Sequence, residues 1–124
     1  MNLGNPKAPI EVVEYASLSC PHCAHFNETI FPGFKAKYID TGKVHYTFKE
    51  FLTPPENVAA ASFLLARCAG KEDYFAVLDE AFARQRDIVM ASQKGESIPA
   101  LKSLGEKFKL SGAQVDACLT DKQN

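Results

Sequence analysis

The feature that most restricts the fold of this chain is a pair of cysteines between a strand-like and a helix-like segment. Residues Pro9 to Ala16 are rich in β-branched and aromatic side chains, which predicts a buried strand ending just before Cys20-Pro21-His22-Cys23. From Ala24 to Ile39 apolar residues recur every four positions, which predicts a helix. Val44 to Leu52 alternates apolar and polar residues, as a second strand does. A strand, helix and strand in this order predict two parallel strands with a right-handed crossover.

The rest of the chain is predicted to be helical. Thr53-Pro54-Pro55-Glu56 has the pattern of a capping box, and Gly70 has that of a helix stop, so a helix is expected between them. Apolar spacing predicts the later helices, one over Phe75 to Val89, one around Leu101 to Phe108, and one after a capping box at Ser111 and Gln114. The sequence therefore predicts an α/β protein.

Length and composition exclude several classes of protein. The 124 residues suffice for one domain, and 14 basic against 15 acidic residues give a net charge of −1 without long charge runs. A nucleic-acid or membrane-surface footprint is therefore not expected. The longest nearly apolar stretch, Val58 to Ala66, falls short of the roughly 20 residues of a membrane-spanning helix. No signal-peptide pattern opens the chain, so we expect a cytosolic protein or a mature form.

The cysteine pair has the spacing that thiol–disulfide exchange requires. At the start of a helix, unpaired N–H groups and the positive end of the helix dipole favour a thiolate on Cys20. Pro21 takes the first helical turn, and His22 can donate to the Cys20 sulfur. Cys23 lies about one turn further along, facing the body of the domain. A stabilised thiolate favours the reduced form, so the corresponding disulfide tends to oxidise other proteins.

One acidic residue lies on the otherwise apolar first strand. Glu14 precedes Cys20 by six residues, and a carboxylate there would be partly buried beneath the motif and could handle the proton of Cys23. From the residues alone, a surface carboxylate is the more common case. Lys49 is a candidate charge partner for Glu14.

The cysteine pair has two other conceivable chemistries. A zinc site would use His22, His25 or His45 as further ligands, but zinc modules usually place their histidines at a set distance from the cysteines. Attachment of haem needs a histidine directly after the second cysteine, where Ala24 stands. His25 and His45 are expected at the surface. The alternative to an enzyme is a non-catalytic helical module for interaction or metal binding.

Several stretches of the sequence resemble one family. The chain is similar to the DsbA family of bacterial periplasmic disulfide oxidases in Gly4 to Pro9, in EVVEYASLSCPHCAHF and in Val44 to Leu52. The segments ARCAG and VDACL resemble the alphaproteobacterial members of that family. The similarity runs through nearly the whole chain.

The resemblance implies a role for each motif residue. Cys20 would be the exposed nucleophile and Cys23 the resolving thiol. Pro21 and His22 would set the oxidising strength, and Glu14 would be the buried acid. No metal or organic cofactor is implied. Within redox chemistry, a disulfide isomerase or reductase remains open, because reduction potential and partners set the direction of exchange.

The resemblance also implies an organisation and a setting. Residues 1–53 would form the N-terminal part of a thioredoxin-like domain and residues 54–124 a helical insertion domain. We find no match to the family's cis-proline strands and final helix, so we expect a chain truncated at its C-terminal end. Unfolded secreted proteins would be the substrates, a membrane protein would reoxidise the cysteines, and the mature form would be periplasmic. An open sheet edge along Pro9 to Ala16 predicts pairing with a second copy or domain swapping.

Cys68 and Cys118 are open to two interpretations. Each lies on the apolar stripe of a predicted helix, where a buried free cysteine is common. The resemblance implies a disulfide between them, and the even count of four cysteines favours it. Such a disulfide would be structural and would point to an oxidising compartment.

Overall fold

The computed structural model describes residues 1–120, which form a small sheet covered by helices on one face. The strands are β1 (Asn2–Leu3), β2 (Ile10–Ala16) and β3 (Val44–Glu50). The helices are α1 (Pro21–Thr29), α2 (Phe31–Phe34), a π-helical turn (Lys35–Ile39), α3 (Glu56–Cys68), α4 (Tyr74–Ala83), α5 (Gln85–Gln93), α6 (Ser97–Lys107) and α7 (Gly112–Thr120). The predicted α/β class is confirmed. None of the helices in residues 1–120 has the length and apolar character needed to cross a membrane.

The sheet has the strand order β1-β3-β2. β2 and β3 are parallel, as predicted, with Glu14 beside Phe48 and Val12 beside Tyr46. β1 was not predicted, because two residues carry no periodicity; it pairs antiparallel with β3. Within residues 1–120, β2 therefore lies at an edge of the sheet. Pairing of this edge with a second copy stays a prediction.

The two faces of the sheet differ in burial. Alternation in β3 places Val44, Tyr46 and Phe48 in the core, each no more than 4 % exposed. On the opposite face Val13 and Tyr15 are 46 % and 69 % exposed. The prediction that Pro9 to Ala16 forms a buried strand was therefore wrong for most of its residues. This strand has one neighbour and one covered face, so β2 is mostly accessible among the described residues.

The first predicted helix begins earlier and is broken. α1 starts at Pro21 and ends at Thr29, and a new helix begins at Phe31. Pro32 lies at the start of α2, where its missing N–H is tolerated but cannot continue the hydrogen-bond ladder of α1. The ring of Phe31 packs on that of Tyr46, with centroids 5.0 Å apart. This contact attaches the helix pair to the buried face of β3.

Two predictions about the helical part were wrong and one is confirmed. The predicted capping box at Thr53 does not form; α3 begins at Glu56 after an extended Pro55 without a side-chain cap. The single helix predicted over Phe75 to Val89 is split at Arg84 into α4 and α5. The last capping box does form, since the Ser111 N–H donates to Gln114 Oε1 (2.8 Å) and the Gln114 N–H donates to Ser111 Oγ (3.1 Å).

A disulfide joins the first and last helices of this part. It connects Cys68, at the end of α3, to Cys118 in α7, which are 50 positions apart in sequence and have their Cα atoms 6.3 Å apart. Cys118 is 5 % exposed. The boundary predicted between residues 53 and 54 stays a prediction.

Candidate active site

The Cys-Pro-His-Cys motif lies where β2 passes into α1. Cys20 is the N-cap residue, with extended backbone (φ −90°, ψ 117°), and Pro21 takes the first helical position, as predicted. The Cys20 carbonyl accepts the Ala24 N–H (3.1 Å), which is the first helical hydrogen bond. The N–H groups of the first turn are thus left for other acceptors.

The two thiols have opposite electrostatic environments. Burial opposes ionisation of Cys20, but the Cys23 thiol and the backbone N–H groups of Cys23 and His22 donate to its sulfur and lower its pKa. Burial raises the pKa of Cys23; the backbone of Ser17 opposes this rise, whereas Cys20 and the charge of Glu14 add to it. One thiol is therefore poised to be a thiolate and the other to stay protonated.

His22 contributes through its backbone rather than its ring. The sequence predicted that both the ring and the local amides would donate to Cys20. His22 acts on the Cys20 sulfur with its backbone N–H, whereas within residues 1–120 its imidazole forms no hydrogen bond to that sulfur. The His22 side chain is exposed.

Glu14 points to the helix-covered face of the sheet and is half-buried. The hydroxyl of Tyr46 donates to Glu14 Oε1 at 2.5 Å. Burial raises the pKa of Glu14, and this hydrogen bond partly offsets the rise. Burial, and then Glu14, raises the pKa of Tyr46 far above its ordinary value, so Tyr46 keeps its proton.

The predicted charge partner of Glu14 was wrong. Lys49 stands beside Tyr15 in the β2–β3 register and is exposed on the opposite face. Tyr46, which takes this place, was missed because only the strand register brings it next to Glu14. Alternation in β3 did signal that Tyr46 faces the core.

A cluster of hydroxyl groups holds the turn before Cys20. The Thr53 hydroxyl donates to Ser17 Oγ (2.9 Å), and the Ser19 hydroxyl donates to the Thr53 carbonyl (2.7 Å). The Thr53 N–H also donates to Ser17 Oγ (3.2 Å). Ser17 and Ser19 are both buried. The residue that sequence reasoning placed in a helix cap therefore ties the end of β3 to the motif turn.

A cavity of about 450 Å³ opens beside the motif. Its walls are mainly apolar and come from the start of α1, the segment before α3, and α5. Pro54 and Pro55, which are joined by a cis peptide bond, form one wall. The residues that line it include Pro21, Pro54, Pro55, Val89 and Met90. Nothing in the sequence pattern indicated that α5 would reach the motif.

The other two histidines that the sequence offered as zinc ligands are not part of a metal site in residues 1–120. His25 is exposed on α1, and His45 pairs with Glu11 (3.2 Å) on the outer face of the sheet. Across residues 1–120, no three His, Cys, Asp or Glu side chains lie close enough together to hold a metal ion.

Replacing Glu14 by glutamine is expected to stabilise the fold at neutral pH. Because folding raises the pKa of Glu14 above its ordinary 4.5, the folded state holds the proton more tightly, and stability falls as pH rises through this window. Solvent screens the partly exposed carboxylate, so Glu14→Gln should gain less than about 1 kcal/mol at pH 7, and the gain should vanish well below pH 4.5, as measured by urea unfolding at pH 7 and about pH 3. Glu28→Gln, at an exposed position, is the control. An equal effect of Glu14→Gln at both pH values would contradict this account.

Comparisons with known proteins agree on one family. A family model described as thioredoxin matches residues 1–124. A Rickettsia conorii protein, provisionally named a protein-disulfide oxidoreductase, is 39% identical over 121 residues, which are 98% of this chain and 42% of that protein. Disulfide bond formation protein D of Bacillus subtilis is 44% identical over 46 residues, 37% of this chain and 21% of that protein.

Solved structures give the same result. Wolbachia pipientis alpha-DsbA1 matches with a TM-score of 0.86 and 35% identity, covering 98% of this chain and 60% of that one. BdbD from Bacillus subtilis matches with a TM-score of 0.74 and 28% identity, over 95% and 64% of the two chains. The chain thus spans less than half of the Rickettsia relative. With its Cys-Pro-His-Cys motif at the start of α1, the chain belongs to the thioredoxin family as a DsbA-like member.

Proposed function

We propose that this chain carries the dithiol of a protein thiol–disulfide oxidoreductase, which donates the Cys20–Cys23 disulfide to substrate proteins. The observation that carries the proposal is the position of Cys20 at the start of α1, where the Cys23 thiol and the N–H groups of His22 and Cys23 donate to its sulfur. These hydrogen bonds lower the pKa of Cys20, whereas burial raises that of Cys23. A thiol with a low pKa is the better leaving group in exchange, and it makes the reduced form the favoured product.

The proposed reaction has two exchange steps. A substrate thiolate attacks the Cys20 sulfur, the Cys20–Cys23 bond breaks, and Cys23 leaves with the electron pair and takes up a proton. A second substrate thiolate then attacks the substrate sulfur in the mixed disulfide, and Cys20 leaves as a thiolate. The substrate loses two electrons and gains a disulfide, and the cysteine pair is reduced.

We assign to Glu14 the transfer of a proton to and from Cys23. Its carboxylate is close enough to raise the pKa of Cys23, and its own raised pKa makes it a better proton carrier near neutral pH than an exposed glutamate. Tyr46 holds Glu14 in place by its hydrogen bond. In this role Glu14 supplies the proton when Cys23 leaves and accepts it when the disulfide forms again.

The family supports a proposal for the partners and the setting. Secreted proteins with free thiols are the proposed substrates, and the apolar cavity beside Pro21 offers a surface for their unfolded segments. A membrane protein is the proposed reoxidant of the pair, and the periplasm is the proposed location. The Cys68–Cys118 disulfide supports an oxidising compartment.

The test is the pKa of Cys20, measured by thiolate absorbance against pH on the reduced motif. Cys68 and Cys118 stay bonded and do not titrate. We expect a transition well below the roughly 8.5 of an ordinary thiol, and its loss in Cys20→Ser. A value near 8.5 would refute the oxidase and favour the alternative of a non-catalytic module, as would one zinc per purified chain.

Equilibration with glutathione separates the redox directions. A disulfide oxidase is expected near the roughly −120 mV of DsbA, whereas a potential near the roughly −270 mV of thioredoxin would indicate a reductase.

A further inference from the structure

A buried glutamine from the helical part reaches the motif turn. The side-chain amide Nε2 of Gln85, the first residue of α5, donates to the Leu18 carbonyl and to the Cys20 carbonyl, both at 2.9 Å. Gln85 is 8 % exposed. Both N–H groups of its amide are thus used on the backbone that leads into α1.

The break between α4 and α5 puts this amide in position. α4 ends at Ala83, Arg84 has a non-helical backbone (φ −96°, ψ 6°), and α5 begins with Gln85. Burial of an amide costs free energy unless its hydrogen bonds are restored, and the two carbonyls restore them. The Cys20 carbonyl also accepts the Ala24 N–H, so both of its lone pairs are engaged.

We propose that Gln85 is a positioning residue for the thiol chemistry, because it fixes the turn from which the Cys20 sulfur meets the N–H groups of His22 and Cys23. The inference rests on the proposed function. Gln85 donates to the backbone carbonyls of Leu18 and Cys20 and acts on the Cys20 sulfur through that backbone.

Gln85 and the hydroxyl cluster hold the same turn from different parts of the chain. Ser17 and Ser19 are bonded to Thr53, beyond the end of β3, whereas Leu18 and Cys20 are bonded to α5. The cavity lined by Pro54 and Met90 adjoins Gln85, so water can reach the two carbonyls once the amide is removed. The peptide planes of the turn would then rotate, and hydrogen bonds weaken steeply as their angle departs from linear.

The test compares the reduced wild-type chain with Gln85→Met, which keeps the side-chain length without the donors. Gln85→Asn keeps an amide that is one methylene too short to span both carbonyls, and serves if the methionine variant does not fold. Gln93→Met makes the same change at an exposed position of the same helix. Each variant is measured by near-ultraviolet circular dichroism, by the pKa of Cys20, and by the rate of Cys20 alkylation at a pH below that pKa.

The expected result is a higher pKa of Cys20 in both Gln85 variants, with an unchanged pKa in Gln93→Met and unchanged near-ultraviolet spectra. When the pKa of Cys20 rises by one, the fraction of thiolate falls about tenfold and the nucleophilicity of the thiolate grows about threefold. Alkylation therefore slows about threefold. We expect a slowing of about that size in Gln85→Met.

Two outcomes would overturn the inference. Folded Gln85 variants with the wild-type pKa would show that Gln85 only packs, and an equal shift in Gln93→Met would show that the effect is not specific. An ordinary thiol pKa in the wild-type chain would instead refute the proposed function itself. The first two outcomes leave the proposed function standing.

Discussion

Replacement of Cys23 by alanine is expected to abolish disulfide transfer and to leave Cys20 trapped in a mixed disulfide. Cys23 lies in the first helical turns beside Cys20, and well-oriented intramolecular reactions reach effective concentrations of about 10⁵ M or more. Without Cys23 the motif cannot form the disulfide that it donates. When Cys20 attacks a disulfide, the resulting mixed disulfide also lacks the intramolecular thiol that would release it, and an external thiol at millimolar concentration would do so slower by several orders of magnitude. Oxidation of a reduced dithiol peptide should fall to the uncatalysed rate. After oxidised glutathione is added as the disulfide that Cys20 attacks, mass spectrometry should detect the glutathione adduct on Cys20.

Two controls make this result specific to the motif. A chain with Cys68 and Cys118 replaced by alanine should retain transfer at temperatures where it stays folded, because that pair lies outside the motif. The Cys20 pKa of Cys23→Ala must also be measured, since the variant removes a thiol that donates to the Cys20 sulfur. Continued turnover by Cys23→Ala would contradict the two-step exchange.

Loss of the Cys68–Cys118 disulfide is expected to lower the free energy of unfolding strongly. Closing a loop of 50 residues restricts the unfolded chain, and the chain-entropy model assigns about 4 kcal/mol to a loop of that length. The double variant Cys68→Ala/Cys118→Ala should therefore unfold at a much lower urea concentration with a lower free energy of unfolding. Both cysteines are replaced so that no single thiol is left to form disulfides between chains.

The motif pair provides the comparison for this experiment. Cys20 and Cys23 are free thiols in the structure, and a disulfide between them would close a loop of only a few residues, so Cys20→Ser/Cys23→Ser should change the stability much less. Equal urea midpoints for the wild-type chain and Cys68→Ala/Cys118→Ala would contradict the role assigned to the disulfide.

Local periodicity was sufficient to predict the order of strand, helix and strand in the first half of the chain. The motif, the strand before it and the alternation of Val44, Tyr46 and Phe48 predicted parallel strands around a helix, because each signal depends on neighbours in sequence. The capping box at Ser111 and Gln114 was predictable for the same reason. Its donors and acceptors are three residues apart.

Several side-chain contacts between distant residues could not be predicted. Nothing near Thr53 indicates that its hydroxyl would bond to Ser17 rather than cap α3. The apolar residues from Phe75 to Val89 gave no indication of the break at Arg84, because both α4 and α5 bury apolar residues. Lys49 was proposed as a partner of Glu14, but it lies beside Tyr15 on the other face of the sheet, because adjacent residues of a strand point to opposite faces.

The motif cysteines are synthesised before the residues that position them, because those residues lie further along the chain. A growing polypeptide has both motif cysteines by residue 23, but the Thr53 anchor follows Ser17 by 36 residues and the Gln85 amide follows Cys20 by 65. Until both have left the ribosome, Cys20 is a thiol on an unanchored turn. A nascent chain therefore contains both motif cysteines before it contains Thr53 and Gln85, whose hydrogen bonds hold the motif turn.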